Sequence, residues 1–285
     1  LKLRIKSKIE AMANYFSDKK YLEKEIRDYQ HLSSQIFNES NPVFVLSTGR
    51  CGTKLLTKLF EATKEGDVFH EPHPQMVYAS RYVYEKMQLG IELRKSAFIG
   101  ARYELLKDAF LKDKRYIETN NQISFFADAI YSIFPNSRFI HLVRHPGDFV
   151  RSGIRRKYYN GHDYDDGRIL LNDVQKWESY SDIQKIGWLW NETNTIIENW
   201  KNVIPKENIY NCKAEGLFSD PKFFQNICAF CELDSIQNNQ IDKIIRKPEN
   251  VQRKGQFPTY EDWTDNQKNE LNVVAPLGFK YGYFS

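Results

Sequence analysis

The chain has 285 residues, with 41 Lys and Arg against 37 Asp and Glu and a formal net charge of +4. That length suits one α/β unit with an added terminal segment, and a positive balance so mild and so evenly spread does not call for nucleic acid, whose binding faces cluster their basic residues. No apolar run approaches the roughly 18 residues needed to cross a bilayer as a helix, so the expectation is a cytoplasmic protein, the alternative being the luminal domain of an anchored enzyme.

Residues 1–40 read as an N-terminal helical extension. Ile5, Ile9, Met12 and Phe16 recur at helical spacing with Lys and Arg between them, and a charged helical stretch follows from Tyr21 to Phe37. Docking on the core or on a second copy of the chain is expected, which makes a homo-oligomer conceivable. From Pro42 the pattern changes to alternating strands and helices, with strands expected at 43–47, 67–70, 115–119, 138–143 and 208–212. That alternation predicts an α/β domain over 41–285, a P-loop-like three-layer fold with a mostly parallel central sheet flanked by helices. Ile123, Phe126, Ala127, Ile130 and Phe134 fall on one helical face within 121–134. Residues 155–185, rich in Tyr, Asp and Gly, suit a loop or lid.

The first expected strand runs into Ser47-Thr48-Gly49-Arg50-Cys51-Gly52-Thr53-Lys54 and then a helical segment. A strand that turns through glycines into a helix directs successive backbone N–H groups and the positive end of the helix dipole at one small volume, which suits a phosphate. Arg50 and Lys54 add charge and Thr53 a hydroxyl. Lys does not follow Gly52 directly, so the pattern is not that of a nucleoside triphosphatase loop. A second unit, Arg138 to Val143 followed by Arg144-His145-Pro146, places Arg144 at a strand's carboxyl end, Pro146 in the first turn of a helix and Ser152 about two turns further on. A third basic element, Arg253-Lys254-Gly255, comes late. Three cationic elements meeting at one crevice imply a ligand with more than one anionic group.

In order and spacing these elements resemble the sulfotransferases that use 3′-phosphoadenosine 5′-phosphosulfate (PAPS) and release 3′,5′-adenosine bisphosphate (PAP). Arg50-Cys51-Gly52-Thr53 matches that family's 5′-phosphosulfate loop, Arg144, Pro146 and Ser152 match its 3′-phosphate signature, and Arg253-Lys254-Gly255 with Trp263 matches its late basic motif. Lys213-Ala214-Glu215-Gly216-Leu217-Phe218-Ser219-Asp220-Pro221 resembles the segment between them. The resemblance implies that Arg50, Cys51, Gly52, Thr53 and Lys54 hold the 5′ end and that Arg144, Ser152, Arg253, Lys254 and Gly255 hold the 3′-phosphate. Arg50 where cytosolic small-molecule members carry Lys, and Thr53-Lys54-Leu55 where they carry two hydroxyl residues and Trp, bring the chain closer to bacterial and carbohydrate-type members.

Sulfuryl transfer to an alcohol requires stabilising the departing phosphate, which Arg50, Lys54 and the loop amides can do without a metal, and removing a proton from the acceptor oxygen. His70-Glu71-Pro72-His73 follows the second strand, and by the resemblance to carbohydrate-type members Glu71 is the first candidate base, with His70 second. The plainer alternative is that Glu71 pairs with an Arg and that His70 and His73 are structural or exposed. Cys228 and Cys231 form a C-x-x-C without a second ligand pair, so Cys51, Cys212, Cys228 and Cys231 read as reduced core cysteines, and no metal site is expected. Trp188, Trp190 and Trp200 read as core. The expected activity is transfer of a sulfuryl group from PAPS to a hydroxyl of a glycan or another small hydroxylated metabolite. A P-loop kinase using ATP and magnesium, or a catalytically idle nucleotide-binding scaffold, are the rival readings.

Overall fold

Val43-Phe44-Val45-Leu46 is buried at every position, and a strand that is apolar on both faces belongs in the middle of a parallel sheet covered on both sides. The computed structural model, which describes residues 31–247 and 257–284, puts it there. Five strands, β1 (Val43–Leu46), β2 (Gly66–Phe69), β3 (Arg115–Thr119), β4 (Arg138–Val143) and β5 (Ile209–Lys213), pair in the order β2-β3-β1-β4-β5. Every pairing is parallel. The strands lie within a residue of the sequence expectation.

In chain order the helices are α1 (Leu32–Glu39), α2 (Thr53–Thr63), α3 (Val77–Glu85), α4 (Ile91–Leu111), α5 (Ala127–Ile133), α6 (Pro146–Arg155), α7 (Val174–Ser179), α8 (Asp182–Trp200), α9 (Ala214–Leu217), α10 (Pro221–Phe230), α11 (Asn238–Ile245), α12 (Asp265–Val274) and α13 (Leu277–Lys280). Side chains alternate across the sheet and divide the core in two. Phe44, Leu46, Phe139 and Val143 pack with residues of α4, α5, α6 and α8 on one face. Val43, Val45, Ile140 and Leu142 pack with residues of α2 and α10 on the other. Residues 1–30 of the expected extension lie outside the described residues, and α1 buries Leu32 and Ile36 in the first of these layers.

The stretch 121–134 is not one helix. A 3-10 turn over Asn121–Phe125 precedes α5, because the Asn120 side chain accepts from Gln122 N and Phe126 leaves helical geometry. All five apolar residues expected on its face are nevertheless buried. Residues 155–185 contain turns, the short helix α7 and the start of α8.

Two buried ion pairs, absent from the sequence reading, attach α4 to the structure around the sheet. Arg102 Nε lies 3.0 and 2.9 Å from the two carboxylate oxygens of Glu118 on β3, and both side chains are fully buried. Glu118 also accepts from Tyr116 Oη at 2.7 Å and Asn120 Nδ2 at 2.9 Å, which satisfies a carboxylate that burial alone would make costly. Arg94 Nη2 meets Asp128 on α5 at 2.6 Å.

Candidate functional site

In an open parallel sheet the crevice lies at the carboxyl ends of the strands, where neighbouring loops diverge. Here β1 lies between β3 and β4, with Val45 opposite Thr119 and Leu46 opposite His141, so the loops leaving all three strands emerge at one level. A cavity of about 900 Å3 opens at that edge. Among its lining residues are Arg50, Gly52, Thr53 and Lys54 from the first loop, His70 and Glu71 from the second strand end, and Arg144 and Ser152 from the third. Residues expected from three distant stretches of sequence therefore share one space.

The loop after β1 is held in an unusual backbone path. Gly49 (φ 77°), Arg50 (φ 58°) and Gly52 (φ 91°) all occupy the left-handed region. A Cβ on Gly52 would come within 2.9 Å of Phe218 Cζ, so only glycine allows the Phe218 ring to close over the turn. No side chain caps α2, whose first N–H groups follow Gly52 into the cavity wall. Ser124 fixes the loop's start, accepting from Ser47 N at 2.9 Å and donating to Ser47 O at 3.0 Å. The Cys51 side chain is fully buried in the second core layer rather than in the cavity, and burial pushes its thiol up to about 11.

The second signature meets the first directly. Arg50 Nε donates to Ser152 Oγ at 3.0 Å, and Arg144 Nη1 donates to Arg50 O at 2.9 Å. Pro146 opens α6, the His145 ring accepts from Gly147 N, and Asp148 one turn along pairs with Arg144 at 3.0 Å. The fully buried Trp190 supports this loop, its indole N–H donating to Arg144 O at 3.0 Å, while Trp200 donates to Ser124 O at 2.9 Å. Glu215 on α9 accepts from His145 N at 2.9 Å and from Tyr283 Oη at 3.0 Å. Burial, and then the neighbouring guanidinium groups of Arg156 and Arg144, lower the pKa of Arg50. Such crowding of positive charge is relieved by a bound anion.

On the other side, His70 Nδ1 lies 2.9 Å from Thr119 O and 3.0 Å from Thr119 Oγ1. A carbonyl only accepts, so Nδ1 carries the proton of the neutral ring and Nε2 keeps the lone pair. Glu71 adopts φ 49° and makes no ion pair or hydrogen bond with any described residue, so the expected alternative of an Arg partner is not met among them. His73 is exposed and outside the cavity lining.

Arg253, Lys254 and Gly255 lie outside the described residues. Lys247 before them lines the cavity, and Phe257 after them accepts from Arg151 Nε at 3.1 Å through its carbonyl. Trp263 is buried and donates to Pro258 O at 3.2 Å. All four cysteines are free and buried, and no group of three or more His, Cys, Asp or Glu among the described residues is arranged to hold a metal.

Sequence reasoning missed Asn121, Tyr158, His162, Arg168 and Phe218, all of which line the cavity. For Asn121 a signal existed, since Asn120-Asn121-Gln122 is a polar run just past the β3 strand end. Phe218 and the 158–168 loop reach the site only through tertiary packing.

A parallel sheet in this order, with a glycine turn opening a helix over a cationic cleft, defines a P-loop-like α/β fold. The chain belongs to the sulfotransferase family, whose model matches residues 81–237, more than half of its length. The fold is similar to that of the sulfotransferase STF9 from Mycobacterium avium, at 11% identity and a TM-score of 0.53 over 93% of this chain and 81% of that one. STF1 from Mycobacterium tuberculosis H37Rv gives 12% identity and 0.49 over 92% and 85% of the two chains. A sulfotransferase from Alicyclobacillus acidocaldarius gives 17% and 0.47 over 83% and 92%. No curated protein sequence matches the chain. No helix among the described residues is long and apolar enough to cross a membrane.

Proposed function

We propose that this sulfotransferase-family chain transfers a sulfuryl group from PAPS to a hydroxyl of a glycan or another small hydroxylated metabolite. The observation that carries the reading is the contact between Arg50 and Ser152 at the wall of a cavity that also holds Lys54, Arg144 and Glu71. Family membership alone does not name the donor, but the donor set fits it. Two glycines in the left-handed region shape the turn, α2 starts without a cap, and Arg50, Lys54 and Arg144 stand around the same space.

In this reading Arg50, Lys54 and the amides from Cys51 to Thr53 hold the 5′ phosphosulfate, while Arg144 and Ser152, joined by Arg253, Lys254 and Gly255, hold the 3′-phosphate. The Phe218 ring, 42% exposed and beside both Gly52 and Arg144, offers an aromatic face for the base. When bound, PAPS supplies a sulfuryl group whose bond to the phosphate oxygen breaks as the acceptor oxygen bonds to sulfur. Arg50 and Lys54 stabilise the negative charge left on the phosphate, and fixed donors of this kind commonly contribute about 3 kcal/mol to such a barrier. Glu71, free of a described partner, takes the acceptor proton. His70 Nε2 is the second candidate for that role.

Thermal melting tests the donor. PAP is expected to raise the melting temperature, because a ligand that binds only the folded state stabilises it by mass action, whereas ATP with magnesium is not. Stabilisation by ATP with magnesium alone would replace this reading with a kinase.

A further inference from the structure

The cavity holds more positive charge than the proposed donor uses. Beyond Arg50, Lys54 and Arg144, its wall carries Arg156 and Arg168, which flank the segment that follows α6 and both act on His162 within it. Arg156 has a buried Nε with no hydrogen-bond partner, and its guanidinium makes no ion pair with a described residue. A guanidinium left without a counter-charge at a cavity wall is costly, so the position is explained by an anionic ligand. Arg168 lies 3.4 Å over the Tyr158 ring, donates to Asp165 at 3.0 Å through Nε and meets His162 Nδ1 at 3.0 Å through Nη2. Three contacts hold the guanidinium in one orientation and leave Nη1 without a partner among the described residues, a donor available to an oxyanion.

The segment lies on the acceptor side of the cavity. Arg81 on α3, the helix that follows the His70–Glu71 loop, donates to Asp166 O at 2.8 Å. Gly167 sits so close to Val77 at the start of α3 that a Cβ there would overlap the valine side chain. Arg168 is thereby joined to the wall that carries the candidate base, while Arg156 stands near both His162 of that segment and Arg50 of the loop after β1.

We propose that the acceptor is itself anionic, carrying a carboxylate, phosphate or sulfate group that Arg156 and Arg168 hold while its hydroxyl faces Glu71. This rests on the sulfotransferase reading and adds to it the chemical class of the acceptor. Neutral sugars and phenols would leave the Arg156 charge unmatched and are correspondingly poor substrates.

The test separates the two proposals. Protein saturated with PAP is titrated with inorganic phosphate, and in parallel with acetate, at constant ionic strength, with melting temperature as the readout. Phosphate is expected to stabilise the PAP complex further, and the variant Arg168→Gln is expected to weaken phosphate roughly tenfold while its response to PAP is unchanged. A retained PAP response also shows that the variant is folded. A matching effect of acetate identifies a carboxylate as the group recognised, and its absence a phosphate or sulfate. No added stabilisation by either anion in the parent protein, or equal phosphate affinity in the parent and Arg168→Gln, overturns the proposal and leaves the donor reading standing. Failure of PAP to stabilise the parent protein overturns both.

Discussion

Arg50 Nε donates to Ser152 Oγ across 3.0 Å, joining the turn after β1 to the second turn of α6 over a sequence separation of 102 residues. Ser152 therefore orients the cation of the other signature as well as offering its own hydroxyl. Ser152→Ala removes both roles and is expected to weaken PAP by roughly tenfold, the effect of one lost hydrogen bond to a charged group. Calorimetric titration reads this directly. An unaltered dissociation constant would mean that Arg50 needs no such orientation.

Glu71→Gln keeps the shape of the side chain and removes its ability to take a proton. Turnover with labelled PAPS is expected to fall by about 10²- to 10⁴-fold, with PAP affinity retained, because general base catalysis typically contributes that much. Undiminished turnover would transfer the role to His70, for which His70→Gln is the matching variant.

Arg102→Met leaves Glu118 buried without its counter-charge. Removal of one member of a buried pair commonly costs about 3–5 kcal/mol, so urea unfolding is expected to show a loss of that size. Arg102→Met combined with Glu118→Gln should recover part of it, since no isolated charge then remains. A loss below about 1 kcal/mol in the single variant would show that the pair contributes little.

Stability should also decline in acid through His141. Burial, followed by the charge of Lys201, lowers its pKa to about 4, and its Nε2 meets Asn194 at 2.9 Å. The ring is therefore neutral, and its 3.8 Å approach to Glu198 is not an ion pair at neutral pH. The unfolded chain binds this proton near pH 6.5, so between about pH 6.5 and 4 it binds more protons than the folded one and stability is lost as the pH is lowered. The contribution is full above that window and decreases by about 3 kcal/mol across it. Replacing His141 by Gln should flatten the slope of unfolding free energy over this range, and an identical slope in the variant would assign it to other groups.

The strands were legible because each is a short apolar run bounded by turn residues, and the two ligand loops because glycine, proline and basic residues sit at fixed offsets from those runs. Arg50, Arg144 and Ser152 could be brought to one crevice on paper, since parallel strands present their carboxyl ends together. Their mutual hydrogen bonds could not, because these depend on which strands are neighbours. The pairing of Arg102 with Glu118 has no local signal, as it joins a charged residue of α4 to one in a strand that only the fold brings beside it. Phe218 reaches the cavity by the packing of α9 beside β5, which no local periodicity encodes. The break between Asn121–Phe125 and α5 arises from Asn120 and Ser124 bonding to backbone, a competition invisible in apolar spacing alone.

The left-handed path of Gly49, Arg50 and Gly52 has an implication for attempts to toughen this protein. Arg50 alone among the three carries a Cβ, a conformation that costs about 1 kcal/mol, and it does so within a ring of like charges. Arg50→Asn, which tolerates that backbone and is neutral, is expected to melt above the parent in the absence of nucleotide while losing its response to PAP. Directed evolution scored on heat survival alone would thus discard this arginine early, and a hardier but inert descendant would be the outcome.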